Sequence, residues 1–249
     1  MQNTIGSLRR APVNVVAGGV PELCAQCEAR HIGLCDALHD DDLHFLASVA
    51  RQARIEKGRG FVTEGDPARL FFNINRGTAN LFKDLPDGRR QITGFVGAGD
   101  FIGLAANATY MFGAEALEPV QLCSFDRAEL RAVFARFPAI ERRLLDVASH
   151  ELIIAQEQML LLGRKTAVER VASFLDGWGL RVASCQGGAT RLDLPMTRND
   201  LAEYLGLTVE TISRALATLR KQGVVAVGAD HVISVIDPAR LAAIGQAEG

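Results

Sequence analysis

The sequence lacks a long hydrophobic run: no uninterrupted apolar stretch approaches the ~20 residues that a helix needs to span a bilayer. The short apolar stretch after Arg9 and Arg10 is broken by Pro12 and Asn14, so a secretory signal peptide is not expected. An excess of positive charge is also lacking, because the formal net charge is −2. Any contact with nucleic acid must then come from locally placed charge. These absences indicate a cytoplasmic protein that does not bind membranes.

Cysteines are few, and their odd number fits poorly with a disulfide framework: five occur among 249 residues. Three form the pattern Cys24-x₂-Cys27-x₇-Cys35, a fourth is Cys123, and the fifth, Cys185, is predicted to lie in a Gly-rich loop without a partner. In a reducing compartment, thiols are more often metal ligands or redox groups than disulfide partners. Four thiolates suit either structural zinc or an iron–sulfur cluster. We therefore predict that the first three cysteines form a metal-binding segment, the cysteine arm, which closes when Cys123 joins it.

The N-terminal half shows a tail, an arm and then many short strands. Residues 1–20 have no stable hydrophobic period and are predicted to be a flexible tail, whereas residues 21–137 are predicted to hold the cysteine arm and a barrel. Asp40–Val49 is typical of a short helix with an acidic first turn. The predicted strands are Phe61–Val62, Leu70–Ile74, Ala79–Phe82, Gln91–Val96, Phe101–Leu104 and Val120–Phe125. Short strands separated by turn signals favour a sandwich or jelly-roll barrel.

Histidine is scarce in this region, which argues against an enzyme built on the barrel. None occurs between His44 and His150. A cupin-type metal site would need imidazoles or carboxylates that converge inside the barrel. We therefore do not expect an enzyme.

Residues 138–163 are predicted to form one long helix that begins at Pro138, a favourable residue for a first turn. Its apolar positions recur at spacings of 3, 4, 3, 4 and 3, at Leu145, Ala148, Leu152, Ala155, Met159 and Leu162. This spacing is typical of a coiled-coil seam and predicts a homodimer, although a single buried helix would show a similar pattern. A second apolar face is predicted to pack on the barrel and contains Ile153, Ile154, Leu160 and Leu161.

Residues 164–249 are predicted to form a separate domain after a hinge at Gly163-Arg164-Lys165. Thr166 and Glu169 have the spacing of a capping box, and Thr197-Arg198-Asn199-Asp200 repeats that pattern before a second helix. Gly206 then ends this helix, and Thr208 caps the next one. A strand at Leu192–Leu194 and a hairpin of Val224–Val227 and Val232–Ile236 complete the pattern. Two short helices joined by a Gly-containing turn and followed by a hairpin are typical of a winged helix-turn-helix domain.

The start of the second helix of this motif carries the candidate DNA-binding residues. Once the apolar stripe is subtracted, Glu210, Ser213 and Arg214 remain on the exposed face, with Thr208 and Thr211 beside them. Arg can bond two atoms of guanine, Glu can accept from cytosine, and Ser can meet either base edge. The alternative is a solvated face with a Glu210–Arg214 pair worth only about 0.3 kcal/mol. The surrounding caps and hairpin favour DNA reading.

The segment Leu205-Gly-Leu-Thr-Val-Glu-Thr-Ile-Ser-Arg214 resembles the recognition segment of the fumarate-and-nitrate-reduction (Fnr) regulators, within the Crp/Fnr superfamily of the cyclic-AMP receptor protein. The likeness covers roughly residues 22–240 and includes Gln91-Ile-Thr-Gly-Phe95, Gly99-Asp100, Leu160–Leu162 and Met196-Thr-Arg198. It implies an α+β fold with an N-terminal β-roll (a jelly roll like the cyclic-nucleotide-binding domain), a dimerisation helix and a C-terminal winged helix-turn-helix. It also implies a homodimer on double-stranded DNA with an inverted repeat like TTGAT-N₄-ATCAA, and an RNA polymerase contact at Asp87 and Gly88.

The resemblance also implies a cofactor. In Fnr-type proteins three N-terminal cysteines and one central cysteine hold an oxygen-labile [4Fe-4S] cluster, and Cys24, Cys27, Cys35 and Cys123 match those positions. Zinc remains the alternative, because thiolate sites serve both metals. Cyclic nucleotides are not expected, because no Lys or Arg occurs between Arg90 and Arg127 to hold a buried phosphate.

The dimer seam departs from the Fnr pattern at one position. Fnr proteins typically carry an acidic residue there, whose buried repulsion keeps the cluster-free form monomeric, and the matching residue in this sequence is Ala155. We therefore predict that oxygen loosens the arm and lowers DNA affinity, while a substantial fraction of the cluster-free protein stays dimeric.

Overall fold

The computed structural model describes residues 21–25, 27–103, 108–186, 191–228 and 232–246. The predicted tail at residues 1–20 lies outside the described residues. The chain divides into two compact units, one ending at Leu152 and the other beginning at Ile153. This division falls inside the predicted long helix, eleven residues before its predicted end at Gly163. None of the described helices has the length and apolar character that a membrane span requires.

The first unit contains an arm, a short helix and two antiparallel sheets. The arm holds α1 (Glu22–Ala25) and a 3-10 helix (Leu34–Ala37), and α2 (Asp40–Val49) follows it as predicted. The strands are β1 (Arg51–Ile55), β2 (Gly60–Val62), β3 (Leu70–Arg76), β4 (Ala79–Asp84), β5 (Arg90–Val96), β6 (Phe101–Ile102), β7 (Gly113–Ala116) and β8 (Val120–Asp126). One sheet has the order β1-β8-β3-β6, and the other has the order β2-β7-β4-β5. The predicted β-roll is therefore present.

Strand β3 is buried on both of its faces, and its sequence Leu-Phe-Phe-Asn-Ile-Asn-Arg is mainly apolar with two buried asparagines. Side chains alternate along a strand, so Phe72 and Ile74 point into the core between the two sheets, and Phe71 points to the opposite face. That outer face is covered by a second apolar cluster, which includes Leu34 of the arm and Leu43 of α2. The outer face of the first sheet is therefore also buried. We call the cluster that covers it the outer apolar layer.

Helix α3 (Arg127–Arg136) and the long helix α4 (Pro138–Arg164) follow β8. The carboxylate of Asp126 accepts a hydrogen bond from the Ala128 N–H and so caps α3. The buried side chains of Leu130 and Ile140 place α3 and the first turn of α4 in the outer apolar layer. The predicted long helix is therefore confirmed in extent to within one residue.

The predicted seam of α4 is open to solvent in the single chain. Leu145, Leu152 and Met159 are 64%, 60% and 67% exposed. Ala148 and Ala155 are also exposed, and Leu162 is half-buried. The prediction for the second apolar face is wrong at two of its four positions, because Ile153 and Leu160 are 52% and 54% exposed. Both residues lie in the part of α4 that belongs to the second unit, whereas the barrel belongs to the first.

The second unit begins in α4 and continues with α5 (Ala167–Gln186), β9 (Arg191–Leu192), α6 (Arg198–Leu205), α7 (Val209–Lys221), β10 (Val225–Val227), β11 (Ile233–Val235) and α8 (Pro238–Gln246). The three strands form one sheet in the order β10-β11-β9, so the wing has three strands among the described residues rather than two. Cys185 lies in the last turn of α5, which corrects the loop prediction. The glycines that suggested a loop follow this helix instead of surrounding the cysteine.

Candidate functional site

The four predicted metal ligands come from two distant parts of the first unit. Cys24 lies in α1, Cys27 in the turn after it, Cys35 in the 3-10 helix, and Cys123 in the middle of β8. All four are half-buried free thiols. Three of them, Cys24, Cys35 and Cys123, pack against the outer apolar layer. The arm is therefore laid over the outer face of the first sheet, where Cys123 projects.

The thiols lie close enough to influence one another electrostatically. The pKa of Cys24 is raised to about 11, mainly by burial and next by the charge of Cys27. Burial also raises the pKa of Cys35, and the charge of Cys123 is the next largest contribution to that rise. The pKa of Cys123 is raised to about 12, mainly by burial and less by the charges of Cys27 and Cys24, while a hydrogen bond from Asn75 lowers it. Burial likewise raises the pKa of Cys27.

This donor set fits a thiophilic metal group. Buried thiols that repel one another as anions can all become thiolates only when a cation compensates their charge, and a bound metal supplies that compensation. Within the described ranges, no three His, Cys, Asp or Glu side chains are gathered so that they could hold a metal ion. The structure thus shows four neighbouring thiols rather than a closed coordination shell. If a [4Fe-4S] cluster binds, these thiols are the residues that would hold it.

Arg30 is a site residue that sequence reasoning missed. Its side chain is buried between the arm and α2: Nη1 donates to the Cys35 carbonyl at 2.6 Å, and Nη2 donates to the Leu38 carbonyl at 2.9 Å. Nη2 also pairs with the Asp40 carboxylate at 2.8 Å. The positive charge of Arg30 lowers the pKa of Cys24 and of Cys35, against the larger effect of burial. The feature of the sequence that could have indicated this role is a basic residue placed between two of the predicted cysteine ligands.

The arm touches the barrel by close backbone approach. Gly99 has φ of +91°, and a Cβ there would lie 3.0 Å from Ile32 Cγ1. A Cβ on Gly33 would lie 3.1 Å from the Gly99 Cα. Both glycines are therefore needed for this contact. Arg143 of α4 adds a hydrogen bond from Nη2 to the Ile32 carbonyl at 3.2 Å.

The helix-turn-helix is built by the caps that the sequence predicted. Thr197 and Asp200 form a reciprocal capping box at the start of α6. Gly206 ends that helix in the left-handed conformation, with φ of +62°. Thr208 then caps α7 by accepting a hydrogen bond from the Thr211 N–H at 3.2 Å. Thr208 and Thr211 thus have a structural role at this helix start, beside the exposed face.

Glu210 and Arg214 are exposed on the first turns of α7, as predicted. The pKa of Glu210 is lowered, mainly because its own backbone N–H and the Thr208 hydroxyl donate to the carboxylate. The carboxylate is therefore held in the acceptor form that a cytosine amino group requires. Arg214 contributes to the same lowering by its charge.

Ser213 differs from its predicted surroundings, because its hydroxyl is already engaged within the protein. It donates to the Val209 carbonyl at 2.9 Å and accepts from Arg198 Nη1 at 3.0 Å. A hydroxyl has one donor and two acceptor positions, so Ser213 keeps one acceptor position in this arrangement. Sequence reasoning did not assign Arg198 to the site. Its signal was a cation directly after the cap residue Thr197.

The start of α6 is tied to α7, and its end is tied to neighbouring helices. Arg170 of α5 donates to the Leu205 carbonyl at 2.9 Å and to the Leu162 carbonyl at 2.9 Å. Gln158 of α4 donates to the Tyr204 carbonyl at 3.1 Å. These bonds satisfy carbonyls that the helix itself leaves without partners. They fix the orientation of α6, and hence of α7, within the second unit.

The predicted polymerase-contact turn is the tip of the hairpin between β4 and β5. Gly88 has φ of +85°, and its N–H donates to the Leu85 carbonyl at 2.9 Å. Asp87 is exposed, and hydrogen bonds from Arg89 lower its pKa. The tip therefore presents an ionised carboxylate to solvent.

Comparison with known proteins identifies the family. The profile of the Crp-like helix-turn-helix domain matches residues 169–244, and the profile of the cyclic nucleotide-binding domain matches residues 52–137. The chain is 38% identical to the nitrogen fixation regulation protein FixK of Bradyrhizobium diazoefficiens, over 90% of this chain and 94% of that protein. It is 35% identical to the transcriptional activator protein FnrL of Cereibacter sphaeroides, over 88% of this chain and 90% of that protein. The structure of FixK2 from Bradyrhizobium japonicum superposes with a TM-score of 0.73 at 35% identity, covering 81% of this chain and 100% of that one. The chain therefore belongs to the Crp/Fnr family, as a DNA-binding transcription regulator of the Fnr/FixK type.

Proposed function

We propose that this regulator responds to oxygen, or to a related redox signal, through a [4Fe-4S] cluster held by Cys24, Cys27, Cys35 and Cys123. The observation that carries the proposal is the meeting of three arm thiols with a thiol of β8, where the charges of Cys24, Cys27 and Cys123 each raise the pKa of a neighbouring thiol. Thiols in this arrangement gain most from a cofactor that needs four thiolates.

The proposed response follows from the contacts of the arm. A bound cluster would join the arm to β8, in addition to the glycine contact and the Arg143 bond that the structure shows. Loss of the cluster would remove that link and leave those two contacts, the apolar packing of Leu34 and the Glu28–Arg76 ion pair. The cluster would thereby bias an equilibrium between a docked and a loosened arm, as a ligand does when it binds one state better.

The experiment is anaerobic purification followed by iron and sulfide analysis and absorption spectra before and after air. We expect four irons per chain, a visible charge-transfer band that bleaches in air, and operator binding that weakens with the bleaching. Cys123→Ser should lose iron, whereas Cys185→Ser is the matched control and should retain it. A colourless protein that contains zinc and binds its operator equally before and after air would instead support a structural metal and overturn the oxygen proposal.

We propose that the DNA-bound form is a homodimer joined along α4. The support is the run of exposed apolar side chains, since Leu145, Leu152 and Met159 would leave water in such a dimer. Two α7 helices related by a two-fold axis would read an inverted repeat like TTGAT-N₄-ATCAA, because operator symmetry mirrors protein symmetry. Footprinting on a duplex with one half-site and on one with both half-sites tests this proposal.

We propose that cyclic nucleotides do not regulate this protein. The two arginines that flank the stretch without cations already have partners. Arg90 bonds the Asp84 and Glu115 carboxylates and lies 3.6 Å over the Phe82 ring. Arg127 donates to the carbonyls of Ala68 and Gly103. Isothermal titration with cyclic AMP should show no heat of binding.

The exposed hairpin tip at Asp87 and Gly88 is the proposed contact with RNA polymerase. Its support is an ionised, exposed carboxylate at the tip of a hairpin, whose side-chain hydrogen bonds come from the neighbouring Arg89 within the same turn. Asp87→Ala should lower transcription in vitro and leave operator binding unchanged. A parallel loss of operator binding would contradict this role.

A further inference from the structure

Two side-chain amides form a chain of hydrogen bonds that ends at the sulfur of Cys123. Asn73 and Asn75 lie on the same face of β3, and Asn73 is paired in register with Cys123 of β8. The Asn75 Nδ2 group donates to Cys123 Sγ at 3.1 Å. Asn73 Nδ2 in turn donates to Asn75 Oδ1 at 3.2 Å. The result is a hydrogen-bonded chain that ends on a proposed cluster ligand.

These amides are costly to the fold. Asn73 and Asn75 are 2% and 6% exposed, in a strand whose other buried residues are apolar. Within the described part of the chain, Asn73 Oδ1 has no hydrogen-bond partner. A buried acceptor without a partner costs about 1–3 kcal/mol. An apolar pair would cover the sheet at lower cost, so packing does not account for the two amides.

The direction of the chain suits a metal-bound sulfur. A thiolate that ligates a metal carries no proton and can only accept a hydrogen bond. Asn75 must therefore turn its NH₂ group, rather than its carbonyl, toward Cys123. In the observed arrangement its carbonyl accepts from the Asn73 N–H while its own NH₂ group faces the sulfur. Asn73 thus supports the orientation in which Asn75 donates to Cys123.

We propose that Asn75 is a positioning residue that raises the reduction potential of the cluster by donating an N–H···S bond to Cys123, with Asn73 holding it in place. This inference rests on the proposed [4Fe-4S] cluster. A donor to a ligand sulfur withdraws negative charge, so it stabilises the more negative, reduced state. The reduction adds one electron from dithionite to the 2+ cluster and breaks no bond.

The test is a redox titration of the full-length anaerobic protein with dithionite, together with resonance Raman spectra of the iron–sulfur stretches. Asn75→Leu removes the donor with little change in volume. The N–H···S bond is stronger in the reduced state than in the oxidised state, and only this difference enters the potential. For a one-electron couple a tenfold difference corresponds to about 59 mV, so the potential of the variant should fall by up to about 59 mV. Its stretch for the Cys123 ligand should move to higher frequency.

Asn80 offers a matched control. It is 3% exposed on β4 of the other sheet, and its Oδ1 also has no partner within the described ranges. Asn80→Leu makes the same chemical change away from the cysteines and should leave the potential unchanged. Asn73→Leu should lower the potential in the same direction but by less, because Asn75 loses its orienting partner and keeps its own amide.

The outcomes separate this inference from the proposed function. Equal potentials in the wild type and Asn75→Leu, at equal iron content, would overturn the role of Asn75 and leave the cluster proposal standing. An equal shift in Asn80→Leu would overturn it as well, since the effect would then be general. If Asn75→Leu fails to fold, a wild-type potential in Asn73→Leu overturns the amide chain. A wild-type protein without iron overturns both proposals.

Discussion

Replacement of Arg30 by Met should loosen the cysteine arm without unfolding the protein. Arg30 is 8% exposed, and its guanidinium holds the carbonyls of Cys35 and Leu38 and the carboxylate of Asp40. Met fills a similar volume and has no donor. The substitution therefore removes all three bonds and leaves the apolar packing largely in place.

The magnitude follows from the burial of the three acceptors. The Asp40 side chain is 58% exposed, so water can replace its ion pair and the loss there is small. The Leu38 bond is buried, and the Cys35 bond is partly buried. Hydrogen bonds to a charged group contribute about 1.5–3 kcal/mol each. Part of the free energy lost with the Cys35 bond is recovered, because water can hydrogen-bond the Cys35 carbonyl in its place. We expect the free energy that keeps the arm closed to fall by about 2–4 kcal/mol.

Hydrogen exchange of the cluster-free protein measures this change locally. The Gly33 N–H bonds the Ala29 carbonyl, and the Leu38 N–H bonds the Cys35 carbonyl, so both amides report arm opening. A loss of 2–4 kcal/mol corresponds to exchange that is roughly 30-fold to 700-fold faster, at about 1.4 kcal/mol per tenfold change. The effect should be confined to the arm, because proteins open in local units.

Two controls make the measurement decisive. The single tryptophan, Trp178, lies in α5 of the second unit, so its fluorescence melting curve should not change. Arg54→Met is the matched variant, because the Arg54 side chain is 62% exposed and pairs only with an exposed Glu56 in its salt bridge. Arm amides in Arg30→Met that exchange within threefold of the wild type would refute the assignment of Arg30 as the residue that holds the arm closed.

Three further predictions follow from the sites. Arg214→Ala should cost about 1–3 kcal/mol of specific binding and relax preference at one guanine, and gel shifts that show an equal loss on random DNA would contradict base reading. Because Ala155 adds no charge to the seam, the cluster-free protein should sediment as a partial dimer at micromolar concentration. The variant Ala155→Asp should sediment as a monomer. A wild-type protein that sediments only as a monomer would overturn this view. The raised pKa of Cys24, about 11, means that its thiol ionises in the unfolded chain before it ionises in the folded one. Stability from this group is therefore complete below pH 9 and is lost as the pH rises toward 11. The free energy of unfolding, measured with urea, should change with pH by about 1–2 kcal/mol less in Cys24→Ser than in the wild type. This value is reduced for the partial exposure of the thiol.

Local signals in the sequence predicted much of the fold. The capping boxes at Thr166–Glu169 and Thr197–Asp200 form as expected, because a cap depends on residues three positions apart. The long helix and most strands also match, since their periodicity is set by one buried face. Phe101–Leu104 is the weakest strand prediction: β6 ends at Ile102, and Leu104 lies outside the described residues.

Elements created by tertiary pairing were missed. Strand β1 reads Arg-Gln-Ala-Arg-Ile and strand β7 reads Gly-Ala-Glu-Ala, and neither composition favours a strand. β1 is a strand because it pairs with all of Val120–Ser124, and β7 because it lies between β2 and β4. Helix α3 was also not predicted, although Asp126 caps it. In these segments the neighbouring strand or core decides the conformation.

The sequence singles out the cysteines of the candidate site but not the side chains that surround them. Cysteine spacing alone singles out the arm, and the exposed face of α7 follows from helical periodicity. The contact of Asn75 with Cys123 joins residues 48 positions apart, and no local pattern encodes it. The engagement of Ser213 by Arg198 likewise depends on how α6 packs on α7. Side-chain partners of this kind require the three-dimensional arrangement of the elements.

The proposed signal has a physical route within the first unit to α4, the helix of the proposed dimer. Leu34 of the arm shares one apolar cluster with Ile140 and Leu144 of α4, and Cys35 and Cys123 pack against that same cluster. Arg143 adds a direct hydrogen bond from α4 to the arm. Loosening the arm therefore removes contacts from the first two turns of α4, immediately before Leu145 begins the exposed seam. Because these residues all precede the division at Leu152, a change at the cysteines can alter how α4 presents its seam before the DNA-binding unit is involved.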